Sequence, residues 1–296
     1  MGRLQGRNGL LWAKKILPPL NLLWRAIKKF FQDEGLFLSS GIAFNLLLCL
    51  IPLILLMLAL AGSYLYTDRE ILNHIRRYLE RMVPSFDPKI MRNILTVVRD
   101  RKIVGVLGIG GLLWTSTWVF GSLRTALNIV FQVKKGRGFL RGIAVDLLLI
   151  LLVGFLFLIS MTLTSIVTHL QGLRLSLLVH MGPIFGFLLS YLLPFIFTFW
   201  MFFFVYKIAP FTKIHFRTAL RAALFTSLVW EVAKQLFGWY ILHLGRFSML
   251  YGSLSTLVIS FVWIYFSSVI LVLGGEVAFL MERDRSPNGT VEKRRG

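Results

Sequence analysis

A glutamate and a lysine lie one helical turn apart inside an apolar stretch of this chain. Glu231 is followed by Lys234 and Gln235 within the apolar residues 220–242. A charge at the centre of a membrane helix costs at least about 2.5 to 3.5 kcal/mol, so ionisable residues there are usually paired, functional or both. Glu231 lies roughly 15 Å along a helix from Arg221, which places it near a bilayer midplane. These residues are either a neutralised pair that serves packing or a polar point on a substrate or proton path.

Two further acids lie closer to the ends of apolar stretches. Asp146 and Glu276 are each five residues from a predicted cytoplasmic boundary, or roughly 7 to 8 Å inside it. Arg124 and Asn128 lie at the same end of another apolar stretch and could reach them. If the helices are neighbours, these residues form an inward-facing polar pocket. Otherwise the side chains snorkel to the interface, with Glu276 linked to Arg124 or a loop arginine.

The sequence contains no pattern that indicates enzymatic chemistry. Its five histidines lack metal-ligand spacing, and no G-x-S-x-G nucleophile elbow occurs. Clustered aspartates or histidines for a metal-dependent nuclease are also missing. We therefore expect no enzymatic activity, no cofactor and no metal. The lone cysteine, Cys49, excludes an intramolecular disulfide within this sequence and is interpreted as a packing residue.

Long apolar runs identify the elements that must position these residues. The chain of 296 residues is 56% hydrophobic, with a mean hydropathy of +0.74. This composition predicts an all-α polytopic membrane protein, a bundle of six transmembrane helices within residues 35–282. An amphipathic interfacial segment precedes it at 1–34, a helical extracytoplasmic loop lies at 67–102, and a disordered cytoplasmic tail is expected at 283–296. The predicted spans are about 36–66, 103–123, 143–168, 181–206, 220–242 and 251–281.

The distribution of basic residues predicts the orientation. With six spans, the termini and the loops on their side carry 21 basic residues, against 11 on the other side. The positive-inside rule then places both termini in the cytoplasm. The net charge of +20 is explained by this bias and by attraction to anionic lipids, without a nucleic-acid partner. Basic residues of the outer loop could contact anionic headgroups, or the loop could dock an envelope protein: Arg76, Arg77, Arg81 and Arg92.

Small residues indicate where the helices approach one another. A stripe of them follows one face of the last span: Gly252, Thr256, Ser260, Ser267 and Gly274. Glu276 lies roughly opposite this stripe, so we expect neighbours on both sides of that helix. Four glycines in the second span indicate close helix packing: Gly105, Gly108, Gly110 and Gly111. In the first span, Asn45 lies on a similar stripe, and Pro52 predicts a kink that serves either packing or motion.

Four blocks of sequence resemble the YihY/BrkB family of bacterial inner-membrane proteins. They are FFQDEGLFLSSGIAFNLLLCLIPLILL (30–56), WTSTWVFGSLRTALNIVF (114–131), WEVAKQLFGWYI (230–241) and YGSLSTLVISFVWIYFSSVILVLGGEVAF (251–279). The resemblance implies an inner-membrane location, cytoplasmic termini and a helical bundle. The family has carried the labels "virulence factor" and "ribonuclease BN". Polar or kink-forming residues within the matching blocks are Asp33, Asn45, Pro52, Asn128, Lys234 and Glu276.

Three hypotheses of function follow. The first is transport or lipid handling, in which the protein translocates an anionic amphiphile such as a phospholipid or lipopolysaccharide precursor. The second is a scaffold of the cell envelope, in which the polar residues only stabilise the bundle and residues 67–102 bind a partner. The third is a tRNA-processing ribonuclease, which the missing metal ligands disfavour.

Overall fold

A computed structural model describes residues 20–65, 101–133, six positions between 142 and 152, 192–243 and 253–285. These residues are almost entirely helical and include no strand, which confirms the all-α prediction. The long helices of the described part are α1 (Leu20–Gln32), α2 (Gly35–Leu65), α3 (Arg101–Val130), α4 (Leu193–Ile208), α5 (Phe216–His243) and α6 (Ser253–Arg285). The positions described between 142 and 152 are also helical.

Three of the described helices are long and apolar enough to cross a bilayer. These stretches are Gly35–Met57 in α2, Lys102–Val130 in α3 and Leu257–Arg285 in α6. Helix α4 is a shorter apolar helix. Helix α5 coincides with the predicted span 220–242, but it also carries four charged residues: Arg217, Arg221, Glu231 and Lys234. Most of the predicted span 143–168 lies outside the described residues, so the number of six spans stays a prediction.

The described residues divide into two compact units. One consists of residues within 44–119, and the other combines residues within 1–43 and 120–296. In the first unit, three glycines of α3 face α2: Gly105, Gly108 and Gly111. A Cβ at Gly108 would lie 3.0 Å from the backbone nitrogen of Leu56, and one at Gly111 would lie 3.0 Å from Cβ of Pro52. The packing prediction is confirmed for these three glycines, whereas Gly110 has nothing within 4 Å in the described part.

In the second unit, α6 is the central helix. Helix α1 packs along one side of it and α5 along another, and α4 packs along α5. This arrangement confirms that the last helix has neighbours on both sides. Helix α1 can take this place because Leu22, Ala26 and Phe30 share one face, on which they are buried, whereas Trp24 and Phe31 lie off this face and are exposed.

Gly274 lets α4, α5 and α6 approach closely. The hydroxyl of Tyr206 in α4 donates to the carbonyl of Leu271 at 2.9 Å and lies 3.0 Å from Thr226 Oγ1 in α5. A Cβ at Gly274 would overlap both hydroxyl groups. The small-residue stripe of the last helix therefore makes close contact at this position, as the sequence predicted.

Candidate functional site

Three acceptors surround the ammonium group of Lys29. Its Nζ atom donates to Asp33 Oδ2 at 2.6 Å, to Glu276 Oε2 at 2.7 Å and to the carbonyl oxygen of Val130 at 2.9 Å. The ring centroid of Phe279 lies 4.3 Å from the same Nζ atom. An ammonium group has three N–H donors, so these acceptors satisfy all of them. We call these five residues the Lys29 cluster.

Local helical geometry explains how α1 contributes to the cluster. Lys29 lies on the apolar face of α1, beside Ala26 and Phe30, and is itself buried. Asp33 follows it by four residues, a spacing at which side chains of a helix meet. The backbone turns sharply after Asp33, because Glu34 adopts a left-handed conformation with φ of 54°. A Cβ at the next residue, Gly35, would overlap the Phe30 ring, so this tight connection requires glycine.

The end of α3 supplies the third acceptor. The last four carbonyl groups of a helix have no partner within the helix. Three of them accept from the residues that follow: Leu127 from Phe131, Ile129 from Gln132, and Asn128 from Val133. The fourth carbonyl, that of Val130, accepts from Lys29. A cation at this helix end is also stabilised by the helix dipole.

The Lys29 cluster contains more negative than positive charge. Two carboxylates, Asp33 and Glu276, share one ammonium group. The Glu276 side chain is 0% exposed, whereas that of Asp33 is 20% exposed. The second carboxylate oxygen of Glu276, Oε1, is buried and has no hydrogen-bond partner among the described residues. The cluster therefore holds a formal charge of −1 when both acids are ionised.

A second ion pair joins α3 to the helical positions near 146. Arg124 Nη1 lies 3.1 Å from Asp146 Oδ2, and the Asp146 side chain is only 4% exposed. The guanidinium of Arg124 also lies over the Phe211 ring, with its Cζ atom 5.3 Å from the centroid. One helical turn further on, Asn128 Oδ1 accepts from the backbone N–H of Phe211 at 2.8 Å. Arg124 and Asn128 therefore fix the segment that connects α4 to α5.

The predicted cytoplasmic-side pocket is divided between these two groups. Arg124 reaches Asp146, as the sequence suggested, whereas Asn128 accepts a hydrogen bond from the backbone N–H of Phe211 and reaches neither acid among the described contacts. Glu276, however, pairs with Lys29, and the expected link to Arg124 or a loop arginine is wrong among the described residues. Lys29 belongs to the segment 1–34, for which the sequence predicts a location at the membrane interface. The available signal was its position on the apolar face of α1, where a cation requires a buried partner.

In the predicted intramembrane site, Glu231 and Lys234 form the ion pair that their spacing predicts. Lys234 Nζ lies 2.8 Å from Glu231 Oε2, and the two side chains are 33% and 28% exposed. Gln235 is exposed. Aromatic rings pack nearby, with 5.3 Å between the centroids of Trp230 and Trp263. This pair is balanced one to one, unlike the Lys29 cluster.

The remaining predicted residues are placed as follows. Pro52 is buried against Gly111, which favours its packing role, and Asn45 is half-buried in α2. The headgroup candidates Arg76, Arg77, Arg81 and Arg92 lie outside the described residues, as do most of the outer loop and the end of the C-terminal tail. Within the described ranges, no group of three or more His, Cys, Asp or Glu side chains could hold a metal ion.

Two ion pairs at the end of α6 attach neighbouring segments to it. Arg25 of α1 donates two hydrogen bonds of 2.9 Å to Asp284, and this hydrogen bonding raises the pKa of the Arg25 guanidinium. His215 contacts Glu282 through its Nδ1 atom. Both pairs include an exposed partner, so each contributes at most about 1 kcal/mol to stability.

Comparisons with known proteins identify relatives along almost the whole chain. The model of a family described as "Virulence factor BrkB" matches residues 26–296. A UPF0761 membrane protein of Pseudoalteromonas atlantica is 25% identical over 286 residues, which cover 92% of this chain and 91% of the relative. One from Pseudoalteromonas translucida is 29% identical over 253 residues, covering 83% and 81%. No solved structure gives a significant match to this chain.

Proposed function

The chain belongs to the virulence factor BrkB family, whose curated relatives are membrane proteins, and from this premise we propose a function in transport or lipid handling. The protein translocates an anionic amphiphile, such as a phospholipid or lipopolysaccharide precursor, across the bacterial inner membrane. The observation that carries the proposal is the Lys29 cluster, in which Lys29 and Asp33 meet Glu276 of the spanning helix α6. Ionisable groups in such helices are costly and mark substrate or ion pathways.

Two further ion pairs support this function. Arg124 and Asp146 are paired at one end of α3, and Glu231 and Lys234 are paired within α5. Charged groups are thus held by several helices of the bundle, whereas a purely structural membrane bundle can be packed with apolar and small residues. The Glu231 pair is part-exposed, which leaves it accessible to a polar group of a substrate.

Positive charge favours an anionic substrate. We propose that both termini are cytoplasmic, because the basic residues are concentrated on that side of a six-span topology. Exposed cations of the described residues on this side include Lys28, Lys213, Arg217 and Arg221. Lysine and arginine near a membrane surface attract anionic headgroups by about 1 kcal/mol each. The same attraction would concentrate an anionic amphiphile at the entrance of the bundle.

Reconstitution into liposomes tests the proposal. Purified protein is incorporated into vesicles that contain a fluorescently labelled anionic phospholipid, and a membrane-impermeant quencher reports how fast the label changes leaflet. We expect the protein to accelerate this exchange, and Glu231→Gln and Glu276→Gln to slow it by about tenfold or more. Vesicles with a labelled zwitterionic lipid measure the preference for negative charge.

A matched variant separates loss of function from loss of structure. Glu34→Gln removes an exposed acid that lies next to the Lys29 cluster, so its exchange rate should equal that of the unaltered protein. Equal rates with and without protein, for every anionic lipid tested and for a labelled lipopolysaccharide precursor, would refute the proposal.

A scaffold is the second candidate function. It is favoured by the pairing of the buried ions, since Lys29 is fully satisfied and Arg124 is matched by Asp146. In a scaffold these residues stabilise the bundle and the loop 67–102 binds an envelope protein. Deleting that loop should then abolish cross-linking to the partner while the thermal stability of the bundle is retained, and no lipid exchange should be measured.

A further inference from the structure

The geometry of the Lys29 cluster points to a proton-binding site: we propose that Glu276 carries an exchangeable proton on its Oε1 atom. The proton occupies this oxygen whether or not the protein transports a lipid. Three features of the cluster support the proposal, namely its donors, its net charge and the isolation of one carboxylate oxygen.

The donors of Lys29 are fully used. They bind Asp33 Oδ2, Glu276 Oε2 and the Val130 carbonyl oxygen, with donor–acceptor distances of 2.6 to 2.9 Å. No N–H group of Lys29 remains for Glu276 Oε1. An ionised carboxylate has two oxygens that both need donors, and a buried one without a donor costs several kcal/mol. Protonation of Oε1 removes that charge and places a hydroxyl group there instead.

The neighbouring helices do not supply another cation in the described part of the chain. From α1 the charged groups at Glu276 are Lys29 and Asp33, of opposite sign. From α4 and α5 the polar groups that meet α6 are two hydroxyls 3.0 Å apart, that of Tyr206, which donates to the Leu271 carbonyl, and that of Thr226, which donates to the Ala222 carbonyl. From α3 the contact is the Val130 carbonyl, an acceptor. On α6 itself, the guanidinium of Arg283 lies over the Phe279 ring, with its Cζ atom 5.8 Å from the ring centroid.

A proton fits this environment better than a metal ion. Metal ions such as Na⁺ or Ca²⁺ require several oxygen ligands around one point. The described residues contain no group of three or more acidic, histidine or cysteine side chains that could provide them. A proton requires only the one oxygen. Its binding changes the formal charge of the cluster from −1 to 0. Its release leaves two ionised carboxylates facing the ammonium group of Lys29.

Infrared spectroscopy of the purified full-length protein in lipid nanodiscs tests this inference. The carbonyl stretch of a protonated carboxylic acid is separate from the amide bands and shifts in deuterated water. We expect the unaltered protein to show this band near neutral pH and to lose it as the pH is raised. Glu276→Gln should remove the Glu276 part of this band; Asp146, whose Oδ1 atom is also buried without a hydrogen-bond partner among the described residues, is the other acid that can contribute, and Asp146→Asn identifies its part. Glu231→Gln should leave the band unchanged, because Glu231 is balanced one to one by Lys234.

A second variant keeps the test decisive if Glu276→Gln does not fold. Asp33→Asn leaves one carboxylate opposite one ammonium group, so the band should disappear at a pH lower by about one unit or more. Absence of the band from the unaltered protein between about pH 5 and 9 would overturn the inference, as would a band that Glu276→Gln leaves unchanged. Because the infrared measurement does not require lipid movement, a protein with this band but no lipid exchange refutes only the proposed function.

Discussion

Replacing Lys29 by methionine should strongly destabilise this protein. Methionine retains most of the length of the side chain, ending one atom short of the ammonium nitrogen, and removes all three of its hydrogen bonds. Glu276, which is 0% exposed, is then left opposite Asp33 without a cation. Removing one partner of a buried ion pair typically costs about 3 to 5 kcal/mol. At about 2 to 4 °C per kcal/mol, the apparent Tm should fall by roughly 6 to 20 °C.

The assay is thermal unfolding in detergent, followed by tryptophan fluorescence. Lys28→Met is the matched control, because it removes the same charge from an adjacent, exposed position of α1 and should change Tm by little. The double variant Lys29→Met with Glu276→Leu should recover most of the lost stability, since an apolar replacement of a buried ion pair is often neutral or stabilising. A Tm for Lys29→Met within about 2 °C of that for Lys28→Met would refute the reasoning.

Two glycine substitutions test the helix contacts. Gly108→Ala should destabilise the protein by about 1 to 3 kcal/mol, because its Cβ would lie 3.0 Å from the backbone of α2. Gly110→Ala, on the same helix but with no neighbour within 4 Å in the described part of the chain, should be neutral or stabilising. The melting temperatures of these two variants are compared, and equal values would contradict the close contact between Gly108 and α2. Gly274→Ala should also lower Tm, because its Cβ would overlap two buried hydroxyl groups, while a Cβ at Gly238 meets nothing within 4 Å among the described residues, so Gly238→Ala serves as the control. A Gly274→Ala variant as stable as Gly238→Ala would show that these helices are further apart than described.

Features that depend on neighbouring residues in the sequence were predicted well. The helical class follows from apolar runs that are long enough to cross a bilayer, and three described helices meet that condition. The Glu231–Lys234 pair follows from a spacing of three residues on one helix. Close packing at Gly108 and Gly274 follows from small residues in such helices.

Features that depend on which helices are neighbours were not predictable in the same way. Helical periodicity indicates which residues of one helix share a face, but it does not say which other helix covers that face. Asp146 had a suitable partner nearby in the sequence, in Arg124, and the structure pairs them. Glu276 had several candidate arginines, and its partner is a lysine from the first described helix.

The sequence by itself determined that this chain is a helical membrane protein and which of its ionisable residues lie within apolar helices. These properties follow from composition and spacing, because the cost of exposing a peptide group or a charge to lipid acts on each segment locally. Only the tertiary structure decided that Lys29 and Glu276, separated by 247 residues, share one buried site. Their contact requires α1 to pack on α6 and the end of α3 to present the Val130 carbonyl. The imbalance of two carboxylates and one ammonium group exists only in that packing.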